Sequence, residues 1–446
     1  MNRKKIHQST VLLVTLIALS GLLISTCIQV PNQYVGLSPG IWRGQFILQD
    51  KNQLIVTKGK DEEITRETSI EKNKFGIPFN FEIRYNKEKK PEMILINGEE
   101  RIVFDQVVTG RNIKNGDDTF LIDLAPYDAY IKGVFDINQM NGNFIVRDKI
   151  NYSIPFEANH SQDFRFEKLP RPTMQKISGL WQMVFSKDTK DAYAAVGEFV
   201  ENNQKVTGTF RTETGDFRFL EGSISGDFIR LSCFDGAHAF LFDGNIHGDS
   251  LTGMFYSGNH YKTTFHGIRN DRATLGSANS LTKKVSNEAF LFRFQNQDKN
   301  WISNTDEIYT NKIKIIQITG TWCPNCRDES EFLINYFKEN PNKNVSVIAL
   351  AFERYADKEK AFGRISNYKI KMNLPYEILL AGRANKDSAS ALIPMIDRIK
   401  AFPTMLFLDK NNYIRKIHTG FDGPATSKYI EFKKEFSETI NSLTKE

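Results

Sequence analysis

The chain has 446 residues, of which 40% are hydrophobic and 12% aromatic, a composition that supports about two to four globular domains. Its formal net charge is +6, with 59 basic and 53 acidic residues. The basic residues are scattered among acidic ones and form no stripe along the sequence. This distribution argues against nucleic acid as a partner.

Residues 1–27 combine a positively charged start with an almost continuous apolar run over residues 11–24. This pattern is typical of an export signal rather than of a folded element. The run ends in Ile24-Ser25-Thr26-Cys27, which resembles a bacterial lipobox, in which the cysteine is lipidated and becomes the mature N-terminus. Thr26 is unusual before that cysteine, so an uncleaved signal anchor and a cleaved soluble form stay open as alternatives. All three interpretations export the chain, and we predict that residues 28–36 form a tether.

Residues 37–270 are dense in strand signals. The runs are short, alternate between apolar and polar residues, and are rich in aromatic and β-branched side chains. Asn-Gly, Asp-Gly and Gly-Asp turns separate them. The clearest predicted strands cover residues 41–48, 79–85, 92–96 and 228–232. The sequence therefore predicts an antiparallel all-β region.

A weak internal repeat divides this region. Gly40-Ile-Trp42 is matched by Gly179-Leu-Trp181, and similar turn-and-strand patterns follow each copy. The repeat favours two related β units, residues 37–168 and 169–270, each a small barrel or sandwich. Two prolines in Leu169-Pro-Arg-Pro172 support a boundary there. A single large sheet-based domain is the alternative.

Three further residues of the β region are predicted to be structural. Trp42 and Trp181 lie near strand starts, where a large ring is expected to fill the core rather than to bind a ligand. Cys233 ends an apolar strand, and we predict a buried, inert thiol. Pairing of Cys233 with another cysteine is the alternative.

Beyond a predicted polar linker at residues 271–287, strands alternate with helices over residues 288–446. This alternation predicts an α/β sheet with helices on both faces. The predicted strands cover residues 312–319, 345–352, 376–380, 404–408 and 413–418. The predicted helices cover residues 327–337, 358–367, 388–396 and 427–443.

Two cysteines, Cys323 and Cys326, follow the first of these strands and open a helix. A helix N-terminus favours the thiolate, which is the nucleophilic form of cysteine. Residues three apart share a helix face, so the pair can close a disulfide, and Pro324 suits the first helical turn. A zinc site would need a second cysteine or histidine pair, and none follows. A purely structural disulfide remains the alternative to redox chemistry.

The region 288–446 resembles the thioredoxin-fold domain of the TlpA-like (ResA-like) thiol–disulfide oxidoreductases. Trp322-Cys-Pro-Asn-Cys326 matches the Trp-Cys-x-x-Cys motif of that family, and Phe402-Pro-Thr404 matches its cis-proline loop. The run that ends at Glu353 is similar to its second core strand. The β-rich region followed by such a domain resembles exported proteins of Bacteroidetes-type bacteria.

The resemblance implies a role for each matching residue. Cys323 would attack the substrate disulfide, and Cys326 would resolve the mixed disulfide. Glu353 would accept a proton near Cys326, with a pKa raised by partial burial; a surface glutamate at a strand end is the alternative. The residues implied to line the substrate site are Trp322, Pro324, Asn325, Phe402, Pro403 and Thr404.

The resemblance also implies an activity, which is disulfide reduction that keeps exported thiols reduced or supplies cytochrome maturation. It implies no cofactor and no metal. Electrons would have to come from a membrane donor, because the compartment outside the cytoplasm is oxidising. The Pro324-Asn325 pair leaves the direction open, so a thiol oxidase or isomerase is an alternative. A second hypothesis is a ligand-binding or scaffold lipoprotein with an accessory redox domain.

Overall fold

The structure is a computed structural model that describes residues 36–48, 75–149, 152–167 and 175–446. The predicted export signal with Cys27, nearly all of the tether and the predicted boundary prolines lie outside these residues. Within the described ranges the chain is mostly β, with three sheets and few helices. None of the helices in these ranges is long and apolar enough to cross a bilayer.

The first sheet confirms the predicted antiparallel β structure and contains nine strands. They are β1 (Gly40–Ile47), β2 (Gly76–Tyr85), β3 (Pro91–Asn97), β4 (Glu100–Phe104), β5 (Gln106–Arg111), β6 (Asp118–Asp123), β7 (Ala129–Phe135), β8 (Gln139–Val146) and β9 (Ser153–His160). Their order in the sheet is β4-β3-β2-β1-β9-β8-β7-β6-β5. Strands that are neighbours in sequence thus lie side by side, except β4 and β5 at the two ends of the order, and β9 returns to pair with β1.

The second sheet repeats this plan. Its strands are β10 (Gly179–Phe185), β11 (Tyr193–Asn202), β12 (Lys205–Thr212), β13 (Gly215–Asp216), β14 (Leu220–Ser225), β15 (Phe228–Phe234), β16 (Ala239–His247), β17 (Ser250–Ser257) and β18 (Tyr261–Arg269). The order is β11-β10-β18-β17-β16-β15-β14-β12-β13, and β11 also pairs with β12. That extra pairing closes the sheet into a barrel, which removes its exposed edges.

The two sheets begin with the same local geometry. Gly40 and Gly179, which open β1 and β10, both have φ of 113°. Trp42 and Trp181 are fully buried, and each indole N–H donates to the backbone carbonyl four residues earlier, at 2.9 and 2.8 Å. The prediction that both tryptophans are core residues is confirmed. The weak repeat in the sequence therefore corresponds to a repeated structural feature.

Aromatic rings fill the interior of the second sheet. Neighbouring centroids lie 4.5 to 6.3 Å apart among Phe185, Phe210, Phe217, Phe242, Phe255 and Phe265. Phe234, at the end of β15, instead packs into the core of the first sheet, 4.8 Å from both Phe46 and Phe79. The two β units are therefore joined by a shared apolar contact.

The third sheet is mixed and carries helices on both faces, as predicted. Its strands are β19 (Arg293–Asn296), β20 (Trp301–Ser303), β21 (Ile313–Thr319), β22 (Val345–Glu353), β23 (Glu377–Arg383), β24 (Thr404–Leu408) and β25 (Ile414–Thr419). The helices are α1 (Ala278–Leu281), α2 (Pro324–Glu339), α3 (Lys358–Met372), α4 (Lys386–Ala391) and α5 (Tyr429–Lys445), with a 3₁₀ turn at Glu307–Tyr309. The strand order is β20-β19-β23-β22-β21-β24-β25.

The centre of this sheet places the cysteine motif. Strands β21, β22 and β23 run parallel, whereas β24 pairs antiparallel with β21. Helices α2 and α5 pack on one face through Phe332 and Phe436. On the other face, Ala389 of α4 packs against Ile316 and Ile318. The carboxyl end of β21, the start of α2 and the start of β24 meet at one edge of the sheet.

Two predicted boundaries need correction. The predicted helix over residues 388–396 is wrong in extent, because α4 ends at Ala391 with Leu392 as its C-cap. Pro394 lies just beyond, where its ring and missing N–H oppose helix continuation. Helix α3 is longer than predicted and ends at Met372, followed by the C-cap Asn373, which adopts the left-handed conformation with φ of 49°.

Residues 271–287, which we predict to be a linker, carry α1 and contact the third sheet. Asn279 of α1 donates to Glu435 of α5 at 2.6 Å. The buried Thr282 accepts a hydrogen bond from Thr419 at the end of β25, at 2.8 Å. This segment therefore packs on the α/β region along β25 and α5.

Candidate active site

Cys323 occupies the N-cap position of α2, directly after the loop that leaves β21. Its backbone is extended, and its sulfur accepts the N–H of Cys326 at 3.3 Å. The Cys323 thiol donates to the carbonyl of Phe402 at 3.5 Å. An N–H aimed at the sulfur from a helix N-terminus stabilises negative charge there. Cys323 is 6% exposed, and both cysteines are free thiols.

Cys326 differs from Cys323 in its surroundings. It is fully buried, and burial raises the pKa of its thiol well above the ordinary value. The neighbouring Cys323 raises the pKa of Cys326 further. Burial therefore favours the protonated form of Cys326, and Cys323 is the more exposed of the two thiols.

Trp322 lies beside the reactive sulfur. Its indole N–H donates to the carbonyl of Phe352 at 2.8 Å, which ties the motif to the end of β22. The ring of Phe402 packs edge-on against the Trp322 ring at 5.7 Å. The guanidinium of Arg354 lies over the Trp322 ring, 4.3 Å from a ring centroid. These contacts fix the Trp322 ring, and its implied place in a substrate site stays a prediction.

The Phe402–Pro403 peptide bond is cis, as the resemblance implies. Pro403 is buried, and its carbonyl accepts the N–H of Gly420 at 2.9 Å. Thr404 is fully buried and its hydroxyl donates to the carbonyl of Ala401 at 2.9 Å. Because Thr404 pairs with Ile318 of β21, this loop lies directly beside the cysteine motif.

The two residues between the cysteines have different surroundings. Pro324 is buried in the first turn of α2, where a backbone N–H would have no acceptor within the helix, so its missing N–H costs no hydrogen bond. Asn325 is partly exposed, and its side-chain amide contacts Gly215 of β13. One residue of the motif thus touches the second β unit.

Glu353 binds the loop before the motif. One carboxylate oxygen accepts the N–H of Thr321 at 2.9 Å, and the other accepts its hydroxyl at 2.8 Å. Burial raises the pKa of Glu353, and the two bonds from Thr321 lower it in part. These contacts position the Thr319–Cys323 loop. The predicted role of Glu353 as proton acceptor for Cys326 stays a prediction.

A second carboxyl group, which the sequence reasoning missed, acts on Cys326. Glu329 is fully buried in α2, and neither carboxylate oxygen has a hydrogen-bond partner among the described residues. Burial raises the pKa of Glu329 to about 8, with the Gln317 amide acting in the opposite direction. The charge of Glu329 in turn raises the pKa of Cys326. The sequence could have indicated Glu329 by its position three residues after Cys326, because residues three apart share a helix face.

A buried polar network lies behind Cys326. The Gln317 amide donates to the Cys326 carbonyl at 3.4 Å and to the Ser330 hydroxyl at 3.1 Å. Tyr368 of α3 donates to Ser330 at 3.1 Å, and Tyr376 donates to the Gln317 oxygen at 3.3 Å. These side chains fix the start of α2 against β21. They come from four separate elements or loops, and no local sequence pattern points to them.

The remaining candidates lie away from this site or fail to form one. Cys233 is buried in the core of the second sheet, where burial raises the pKa of its thiol. Throughout the described ranges, no three His, Cys, Asp or Glu side chains are arranged to hold a metal ion.

Comparisons with known proteins give only partial likenesses. No protein-family model and no curated protein sequence matches the chain. Solved structures that resemble part of it include a thiol-disulfide oxidoreductase from Bacteroides fragilis, with 15% identity over 33% of this chain and 98% of that chain and a TM-score of 0.26. A thiol:disulfide interchange protein of the thioredoxin family from Chlorobium tepidum has 16% identity over 36% and 98%, with a TM-score of 0.27.

A secreted thiol-disulfide isomerase from Corynebacterium glutamicum has 13% identity over 32% of this chain and 86% of that chain, with a TM-score of 0.25. These identities and scores are too low to transfer an activity. A functional assignment therefore depends on the geometry around the two cysteines.

Proposed function

We propose that this chain is an exported thiol–disulfide oxidoreductase that reduces the disulfides of exported proteins through Cys323 and Cys326. One observation carries the proposal. The Cys323 sulfur sits on the N-terminus of α2 and against the carbonyl of Phe402, while Cys326, one turn further on, is fully buried and has a raised pKa. This is an attacking thiol paired with a resolving thiol.

The reaction balances as two thiol–disulfide exchanges. The Cys323 thiolate attacks one sulfur of a substrate disulfide, which forms a mixed disulfide and releases the other substrate sulfur as a thiolate that takes up a proton. Cys326 then loses its proton and attacks the Cys323 sulfur, which releases the second substrate thiol. Two electrons pass to the substrate, and the enzyme is left with the Cys323–Cys326 disulfide.

The second exchange requires a base, because a buried thiol with a raised pKa does not ionise unaided. Glu329 lies three residues after Cys326, is itself buried, and has a pKa of about 8 and no partner among the described residues. A general base is most effective when its pKa lies near the working pH. We assign the proton acceptor to Glu329 and a positioning role to Glu353, through its bonds to Thr321.

The direction and the location of the reaction belong to the same proposal. A reductase that works outside the cytoplasm needs a dithiol donor to reduce its disulfide again, and a membrane protein is the donor class that fits a tethered chain. Residues 1–27 support export, and Cys27 supports lipid attachment. A Cys27→Ser variant that still fractionates with membranes, without a lipid mass on the N-terminus, would favour the signal anchor.

Insulin reduction by the purified chain tests the activity. We expect Cys323→Ser to lower the rate by more than about a thousandfold, because the nucleophile is lost. Cys233→Ser is the matched control, since it removes a buried thiol from the second sheet and is expected to leave the rate unchanged. Equal rates for Cys323→Ser and the unmodified chain would refute the proposal.

The substrate class has its own test. A Cys326→Ser variant cannot resolve the mixed disulfide, so it should accumulate covalent complexes in cells. Mass spectrometry of these complexes would identify the partners. Recovery of exported proteins with reducible disulfides supports the reductase, whereas complexes formed only from reduced substrates would point to a thiol oxidase.

A further inference from the structure

The turn between β12 and β13 lies against the cysteine motif. The Asn325 amide is so close to Gly215 that a methyl group at position 215 would overlap its nitrogen. The backbone of the preceding Thr214 packs just as tightly on Gly420, where an added Cβ would lie 2.7 Å from the Thr214 carbonyl. The backbone of the second β unit is therefore in close contact with both the cysteine motif and the loop after β25.

A buried ion cluster holds this contact in place. Arg218 is 4% exposed and pairs with Asp328, two residues after Cys326. The same guanidinium pairs with Glu100 of the first β unit. The Asp216 carboxylate accepts the N–H of Gly423 at 2.8 Å. One arginine therefore ties both β units to the helix that carries the cysteines.

The first β unit makes a separate contact with Arg354, which lies over the Trp322 ring. Arg354 forms an ion pair of 3.0 Å with Asp148, whose side chain is 5% exposed. The next residue, Tyr355, donates to Asp128 of the same unit. These contacts follow directly after Glu353, at the end of β22.

The β region thus contacts the surroundings of Cys323 at two places, directly at Asn325 and, through Arg354, next to Trp322. A sulfur that attacks a disulfide must approach it along the S–S axis, and the surroundings of Cys323 leave it 6% exposed. A folded protein that carries its disulfide on a broad surface needs open space around the attacking sulfur. A small disulfide occupies far less space.

We propose that the N-terminal β region forms part of the substrate site and selects substrates by size. Small or extended disulfides reach Cys323 with the β region in place, whereas the disulfide of a folded protein reaches it only when the β region moves away. Gly215 and Asp148 are the specificity-determining residues that lie at the two contacts. The proposal rests on the proposed oxidoreductase activity and refines its substrate class.

Alkylation of the reduced full-length chain tests this directly. The rate at Cys323 is measured by peptide mass spectrometry with iodoacetamide and with a maleimide that carries a long polyethylene glycol chain. Two variants weaken the contacts between the β region and the surroundings of Cys323. Asp148→Asn removes the ion pair to Arg354. Gly215→Val places a branched side chain against Asn325. We expect each to raise the rate with the large reagent about tenfold and to leave the small reagent unchanged, as for a shift toward an open state.

Matched controls separate opening from general damage. Asp118→Asn removes an ion pair of 2.7 Å to Arg111 within the first sheet. Gly248→Val places a side chain in the β16–β17 turn, where nothing lies within 4 Å of an added Cβ. Neither control should change the ratio of the two rates. Thermal unfolding identifies any variant that reacts faster because it is unfolded.

The outcomes are distinct from those of the activity assay. Alkylation reports access without turnover, so a chain that fails to reduce insulin can still show the size dependence. The proposal is overturned if the ratio of large-reagent to small-reagent rates is the same in the unmodified chain, in Asp148→Asn and in Gly215→Val. A rise in either folded variant, without a rise in its control, supports it.

Discussion

The β region and the α/β region bury their side chains in different ways. The second sheet is filled by phenylalanine rings such as Phe210 and Phe242, whose centroids are 4.5 Å apart. The third sheet also has apolar cores, but behind Cys326 it buries the Gln317 network and the carboxyl group of Glu329, which has no hydrogen-bond partner among the described residues. Buried polar groups cost free energy unless they are paired.

The difference is consistent with placing the proposed redox chemistry in the α/β region. In the β region a buried charge such as Arg218 has carboxylates beside it, so that its desolvation is offset. Glu329 has no such offset among the described residues, and its pKa of about 8 makes it able to gain or lose a proton near neutral pH. A perturbed pKa beside a buried thiol is typical of a functional site.

The largest effect is expected from breaking the aromatic core. Phe210→Ala removes a ring that contacts Phe185, Phe199 and Phe242, and should lower the free energy of unfolding by about 3–5 kcal/mol. The rate of disulfide reduction per folded molecule should stay the same, because the ring lies in the core of the second sheet and does not belong to the cysteine site. Urea unfolding and the insulin assay measure the two quantities.

Val200→Ala is the control for this prediction. Val200 belongs to the same sheet but is 64% exposed, so its truncation should cost less than about 0.5 kcal/mol. A similar loss from both variants would contradict the view that ring packing stabilises the β region.

Glu329→Gln, unlike Phe210→Ala, should raise the free energy of unfolding at high pH. The pKa of Glu329 is raised by folding from 4.5 to about 8, so its contribution to stability is complete below about pH 4.5 and is lost as pH rises through about 8. The variant cannot ionise and should therefore be more stable than the unmodified chain at about pH 9, on the order of 5 kcal/mol. At about pH 4 the two should unfold alike.

The same substitution tests whether Glu329 acts as a general base for Cys326 or has only a structural role. Loss of a general base should slow the resolving step by about a hundredfold, so the mixed disulfide on Cys323 should accumulate and be visible after acid quenching. Cys326→Ser gives the reference level for complete accumulation. If Glu329→Gln resolves the mixed disulfide at the original rate, another group takes the proton from Cys326.

Local patterns in the sequence predict much of this site. Cys323 and Cys326 follow from their spacing and from the strand before them, and the Phe402–Pro403 loop follows from the resemblance. Glu329 was also within reach, because it shares a helix face with Cys326. Its importance depends on burial without a partner, which a sequence does not display.

Other features depend on distant parts of the chain. The Gln317, Tyr368 and Tyr376 contacts bring together separate elements, and each residue alone is an ordinary polar or aromatic residue. The contact of Gly215 with Asn325 joins a β turn to the cysteine motif across two sheets. The true length of α4 was similarly missed, because the apolar pattern continues to Ile396 although Pro394 stops the helix.

Thr321→Val tests the positioning role of Glu353 and should have an intermediate effect. The variant loses a hydroxyl bond of 2.8 Å to a buried carboxylate, so we expect a loss of about 2 kcal/mol in the free energy of unfolding. Burial of Glu353 with one donor fewer should raise its pKa further. Urea unfolding at neutral pH measures the loss.

Thr404→Val is the matched control, since its buried hydroxyl donates to the neutral carbonyl of Ala401 at 2.9 Å. Hydrogen bonds to charged acceptors are the stronger kind, so this loss should be smaller, about 1 kcal/mol. If Thr404→Val costs as much as Thr321→Val, Glu353 does not hold the loop as a carboxylate.

The smallest effect concerns the two repeated tryptophans. Trp42→Phe and Trp181→Phe each lose an indole N–H bond to a backbone carbonyl, at 2.9 and 2.8 Å, and should lose similar stability from that source. Trp181 also lies under the guanidinium of Arg269, 4.4 Å from a ring centroid. We therefore expect Trp181→Phe to cost about 0.5–1 kcal/mol more than Trp42→Phe.

A double-mutant cycle with Arg269→Met isolates that contribution. If the guanidinium stacks on the indole, Trp181→Phe should cost less in the Arg269→Met background than in the unmodified chain, and Trp42→Phe should cost the same in both. Equal costs in all backgrounds would mean that the two copies of the repeat are stabilised alike. In that case the difference between them lies in their contacts with Asn325 and Arg354 rather than in their cores.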